Sequence, residues 1–283
     1  MLNSMRIIVM ASQKGGSGKT TLAGHLAVEA DRRGDGPVAL IDTDPQGSLA
    51  QWWNAREHDG PAFVQSGMQT LRRRRDEDRR TLHTDLVQLR EQGFRLVVID
   101  TPPSVTRTIA EVVAFADLVI LPTRPSPHDL RAVGATVDIL EDRGKALVFV
   151  VNGATPRARI TSDAAVALSQ HGTVAPVTIH HRVDFASSMI DGRTVMEVDP
   201  DSKSAKEIID LWTYLQERLR RKHIVALPGG VDNPLSGQPV VAIPSPILPA
   251  GLRPPQPFGR RGNDKGDEKY TEQEDTKVKG GWT

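Results

Sequence analysis

Apolar residues along the chain fall into short runs separated by amphipathic stretches. The run Arg6-Ile-Ile-Val-Met-Ala11 ends in a glycine-rich break, after which Leu22, Leu26, Ala27 and Ala30 recur at helical spacing. This predicts a strand, a glycine loop and a helix. Similar runs follow at Val38 to Ile41, Leu96 to Ile99, Leu118 to Leu121 and Ala146 to Val151, most of them rich in Val and Ile, with room for a helix between them. Apolar strands alternating with helices predict an α/β fold, a doubly wound and mostly parallel sheet with helices on both faces. From Ser202 to Lys222, the residues Ile208, Ile209, Leu211, Trp212, Leu215 and Leu219 share one stripe, which predicts a long amphipathic helix closing the domain.

The pattern stops after Ile224. Residues 225–283 hold nine of the 20 prolines and nine of the 24 glycines, end in the charge-mixed stretch Arg260 to Lys279, and show no period. Too few large apolar side chains remain there to offset the entropy of ordering, so the expected organisation is one domain over 1–224 and a disordered tail over 225–283. PxxP spacings occur in it at Pro246/Pro249 and Pro254/Pro257, and a flexible extension accounts for them without a specific ligand.

Composition narrows the function classes. A chain of 283 residues, 38% hydrophobic and 25% charged, has material for one sizeable core. Lys+Arg is 36 against Asp+Glu 35, so the net charge of +1 cannot attract nucleic acid by itself and any polyanion site must be a local patch. The absence of cysteine excludes disulfides, a thiol nucleophile, Cys-ligated zinc and iron–sulfur clusters, and a cytoplasmic location is expected. The early apolar run Ile7 to Ala11 is far shorter than a signal core or a span of about 20 residues, so no membrane crossing is expected.

The segment Lys14-Gly-Gly-Ser-Gly-Lys-Thr20 lies between the first predicted strand and helix. Gly15, Gly16, Ser17 and Gly18 let successive backbone N–H groups turn inward as an anion nest, and the helix N-terminus at Thr20 and Thr21 adds positive potential. Lys19 then reaches the terminal phosphates and the Thr20 hydroxyl can ligate magnesium. ATP with Mg2+ is the expected ligand pair. Gln13 stands where the usual pattern has its first glycine, and a second lysine, Lys14, opens the loop.

With that departure the chain resembles the deviant Walker A ATPases, the group of ParA, Soj and MinD, whose signature is K-G-G-x-G-K-(S/T). Leu40-Ile-Asp-Thr-Asp-Pro-Gln-Gly-Ser48 is similar to the family's switch segment, and Leu96-Val-Val-Ile-Asp-Thr-Pro-Pro-Ser104 to its Walker B strand and following loop. Pro125-Ser-Pro-His-Asp-Leu130 and Val198-Asp-Pro-Asp-Ser-Lys-Ser-Ala205 also look like ParA-type segments, so the resemblance covers roughly residues 5–220.

The carboxylates fit this chemistry. Asp100 ends an apolar strand, where a magnesium ion beside the glycine loop needs an acceptor. Asp42 and Asp44 follow another strand, and two carboxylates one residue apart in extended chain can point the same way. The resemblance implies that Asp44 activates the attacking water and Asp42 contacts the metal region. It also implies that Lys14 crosses a dimer interface to the partner's nucleotide, whereas binding to its own phosphate is the alternative. Asn152, at the end of the Ala146 to Val151 run, offers a donor and an acceptor to an adenine edge, or is a plain turn residue.

Basic residues divide into two groups. Arg72-Arg-Arg-Arg75 and Arg79-Arg80 bracket Asp76-Glu-Asp78 and read as a self-neutralised solvated face. Lys203 and Lys206, with Arg182 and Arg193 upstream, lie in segments that the resemblance associates with sequence-nonspecific DNA binding; ordinary exposed cations are the alternative. Trp52 and Trp53 are expected to be buried against the sheet, and His180 and His181 to be structural.

The resemblance implies an ATPase that forms a homodimer with ATP, binds DNA nonspecifically, associates with the nucleoid, and positions a plasmid, chromosome region or protein cluster. Hydrolysis is expected to be slow until a ParB-like or cargo-bound adaptor acts. The first strand begins almost at once, which predicts no N-terminal helix-turn-helix. A MinD-like membrane regulator and a dethiobiotin-synthetase-like enzyme remain as alternatives. The first would need a C-terminal amphipathic helix with a basic face, whereas Val278-Lys-Gly-Gly-Trp-Thr283 follows a proline-rich stretch, and the Asp-Pro-Gln-Gly and ParA-like C-terminal segments speak against the second.

Overall fold

A computed structural model describes residues 5–65, 81–103 and 107–225. The expected tail and the Arg72 to Arg80 run lie outside these residues. Eight strands are present among them: β1 (Arg6–Met10), β2 (Val38–Asp42), β3 (Ala62–Gln65), β4 (Leu96–Asp100), β5 (Leu118–Thr123), β6 (Leu147–Ala154), β7 (Thr173–Val174) and β8 (Ile179–His180). The helices are α1 (Lys19–Arg32), α2 (Ser48–Asn54), α3 (Leu82–Glu91), α4 (Arg107–Val113), α5 (Pro127–Arg131), α6 (Gly134–Asp142), α7 (Arg159–Ser169), α8 (Val183–Ser188), α9 (Val195–Val198) and α10 (Lys203–Val225).

The strand order is β3-β2-β4-β1-β5-β6-β7, with β8 paired to β6, and every pairing is parallel. All five predicted apolar runs are strands, and they form the middle of the sheet. Their continuous hydrophobicity has a simple cause, because alternate side chains enter different cores. Ile8, Met10, Leu40, Val98, Ile120, Val148 and Val150 face α1, α2 and α10, while Ile7, Val9, Ile41, Val97, Ile99, Val119 and Phe149 face α3, α4 and α6.

The amphipathic stripe of α10 supplies much of the first core. Ile208, Leu211 and Leu215 are fully buried, and Trp212 is nearly so while its Nε1 donates to Asp35 at 3.0 Å. Truncating one such leucine to alanine costs about 2–5 kcal/mol. Trp52 is buried as expected, and Trp53 stacks on Phe63 with ring centroids 5.4 Å apart. His180 is structural too, its Nδ1 lying 2.7 Å from Glu207 Oε1.

The sheet positions the chemistry through register. Met10 pairs with Asp100 and Asp42 pairs with Asp100, so the ends of β1, β4 and β2 lie side by side. Thr101 Oγ1 donates to the Met10 carbonyl and Thr43 Oγ1 to the Asp100 carbonyl, both at 2.7 Å, which laces these ends together where the ladder stops.

Candidate nucleotide-binding site

The loop Lys14 to Thr20 runs from β1 into α1, whose N-cap is Gly18 in the left-handed region at φ 94°. Among the described residues no side chain caps this helix, and its first turn holds no acidic residue, so its leading N–H groups remain available to an anion. The conformation requires glycine twice over. A Cβ on Gly18 would sit 2.1 Å from Asn152 Nδ2, because that amide lies against the loop and donates to the Ser17 carbonyl at 2.6 Å. Asn152 thus lies within β6, and one N–H of its amide is engaged in holding the loop.

Lys19 is buried, and its Nζ has the Lys14 carbonyl at 3.5 Å. Burial pulls its pKa below the usual lysine range, although the Asp100 and Asp44 carboxylates oppose the shift. Asp100 is buried as well, and desolvation pushes it up to about 7 even though Thr20 Oγ1 donates to its Oδ2 at 2.5 Å. Its Oδ1 and the Ser17 hydroxyl are buried without a hydrogen-bond partner among the described residues. A buried lysine, an uncapped helix start and orphaned oxygens fit a phosphate chain and a cation held beside Thr20 and Asp100. Among the described residues no three His, Cys, Asp or Glu side chains converge as a metal cluster. A magnesium ion bound chiefly through phosphate and water needs no such cluster.

Asp42 and Asp44 are brought to the same rim but do different work. Asp42 Oδ2 accepts from Leu49 N and Ala50 N at 3.1 Å each, and its Oδ1 accepts from Asp44 N at 2.9 Å. It therefore caps α2 and holds the loop, while burial raises its pKa. Asp44, half-buried, lines an open cleft of about 640 Å³ together with Gly16, Lys19, Thr20 and Thr21. Trp52, Arg124, Met189 and Ile190 form other parts of its wall, and sequence reasoning assigned none of them to it. Lys14 turns from this cleft toward α5, its Nζ 3.0 Å from Asp129 Oδ2, and Ser126 Oγ also bonds that oxygen. Asp129 lay in a segment already noted for its resemblance, yet its pairing to Lys14 spans 115 positions.

The basic residues are not equivalent. Lys203 and Lys206 are exposed at the start of α10 and make no ion pair among the described residues. Arg182 forms a two-bond fork with Glu207, both contacts 2.7 Å, and Arg193 pairs with Asp191 at 2.7 Å.

The family model for CbiA, the CobQ/CobB/MinD/ParA nucleotide binding domain, matches residues 8–209. The chain belongs to this family. Within the CobQ/CobB/MinD/ParA family it is 28% identical over 220 residues to the maintenance of carboxysome distribution protein A of Halothiobacillus neapolitanus, covering 74% of this chain and 94% of that protein. It is 31% identical over 228 residues to the chromosome-partitioning ATPase Soj of Thermus thermophilus, covering 71% and 91%. Among solved structures, the cell division ATPase MinD of Pyrococcus furiosus superposes with a TM-score of 0.61 at 21% identity, covering 76% of this chain and all of that one. That likeness establishes the doubly wound fold. Among the described residues no helix is long and apolar enough to cross a membrane.

Proposed function

We propose that the chain is a magnesium-dependent ATPase that dimerises with ATP, binds DNA nonspecifically in that state, and positions a plasmid, chromosome region or protein cluster. One observation carries the reading: the uncapped start of α1, the buried Lys19 ammonium, the Thr20–Asp100 pair and Asp44 meet at one cleft. The relatives named for carboxysome distribution and chromosome partitioning support positioning as the purpose.

Bound magnesium would supply charge neutralisation between the phosphates, held by Thr20 and Asp100. Lys19 and the loop N–H groups orient the phosphate chain and offset its charge. Asp42 fixes the loop, and Asp44 orients the attacking water and accepts its proton. Lys14 leaves Asp129 to reach the nucleotide of a second copy, so that neutralisation at the transferring phosphoryl group is complete only in the dimer. A ParB-like or cargo-bound adaptor that orders this arrangement then controls a slow hydrolysis. Lys203 and Lys206 carry the phosphate contacts to DNA and thereby nucleoid association, while Arg182 and Arg193 contribute less because carboxylates already engage them.

The test combines light scattering with retardation of random-sequence duplex, with and without ATP and magnesium. ATP should convert the protein to a dimer that binds DNA with steep salt dependence. Lys203→Glu should weaken DNA binding and leave dimerisation intact. A monomer that ignores ATP, or phosphorylation of a small acceptor, would overturn the reading.

A further inference from the structure

We propose that Arg124 is a further nucleotide-binding residue, whose guanidinium holds the non-terminal phosphates of the bound nucleotide. The inference rests on the nucleotide reading above. Arg124 directly follows β5, is exposed and lines the cleft, and its side chain makes no hydrogen bond or ion pair with a described residue.

Its side chain bridges two elements. Its Cγ and Nε lie 3.7 Å from where a Cβ on Gly153 would be, and its Nη2 lies 3.8 Å from the corresponding position on Gly16. The stem therefore runs from the end of β6 to the tip of the phosphate loop, placing the charged end over the loop.

Sheet order then decides which part of the nucleotide passes beneath it. The loop follows β1, which has β4 and β2 on one side and β5 and β6 on the other. Asp100, Asp42 and Asp44 all lie on the β4/β2 side, so the cation-bound terminal phosphate belongs there. The remainder of the molecule extends the other way, across the ends of β5 and β6, between Arg124 and Asn152. A planar guanidinium with no competing carboxylate matches a phosphate edge there.

Equilibrium binding of fluorescent ADP and ATP to the full chain tests this with Arg124→Ala, Arg124→Gln and Arg124→Lys. The exposed position leaves folding unaffected, which a urea midpoint verifies. Affinities for ADP and ATP should fall together by about tenfold to a hundredfold in the Ala and Gln variants, the loss of a charge-assisted hydrogen bond, and Lys should restore part of it. Unchanged affinity for both nucleotides would overturn the proposal. A loss confined to ATP would also overturn it, placing Arg124 at the terminal phosphate or against a second copy. Wild-type protein that binds neither nucleotide would instead defeat the nucleotide reading itself.

Discussion

Acidification should weaken the fold through His25, a residue that joins the phosphate-binding helix to the segment before α10. His25 is fully buried on α1. Its Nε2 accepts from Val195 N at 3.2 Å, which fixes the neutral tautomer with the proton on Nδ1, and Nδ1 donates to the Thr21 carbonyl at 2.7 Å. Phe185 packs edge-on with its ring centroid 5.4 Å away. Desolvation holds the ring pKa down at about 4 against the ordinary 6.5, with Glu197 opposing and Arg56 reinforcing the shift. The sign follows directly. Between these two values the unfolded chain binds a proton that the folded chain refuses, so stability present above pH 6.5 is lost as pH falls toward 4. The full linkage is about 3 kcal/mol, about 2 kcal/mol of it spent by pH 4.5. Urea denaturation of wild type and His25→Gln at pH 7 and pH 4.5 isolates it, because other titrating groups contribute equally to both proteins. His25→Gln should be less stable at pH 7 yet lose about 2 kcal/mol less on acidification. Parallel losses in the two proteins would show that His25 titrates normally in the folded state and would refute the reasoning.

Lys19→Ala should abolish ATP binding by removing the buried ammonium beside the loop, as measured by nucleotide affinity. Asp44→Ala should bind ATP and accumulate as an ATP dimer while hydrolysis falls by at least about a hundredfold, which phosphate release and light scattering together would check. Gly18→Ala combines a positive φ with displacement of the Asn152 amide, so urea denaturation should show a loss of about 2 kcal/mol, with nucleotide affinity falling alongside.

Whereas β3, β7, β8 and the strand order came only with the fold, the amino-acid sequence by itself determined the five central strands and the phosphate loop. Both rest on local preferences: alternating burial makes strands such as Ile7 to Met10 apolar throughout, and Lys14 to Thr20 encodes its anion nest in consecutive residues. Tertiary structure decided how the charged side chains are used. Asp42 and Asp44 read alike as strand-end carboxylates, yet the return of α2 over β2 makes Asp42 a helix cap and leaves Asp44 on the cleft. Arg182 and Lys203 read alike as surface cations, yet of the two it is Arg182 that pairs with Glu207. His25 takes its role from Val195, which lies 170 residues later and donates to it. A buried or paired polar group takes its role from whichever partners hydrophobic packing brings beside it, and those partners are distant in the chain, where neither periodicity nor motif spacing can register them.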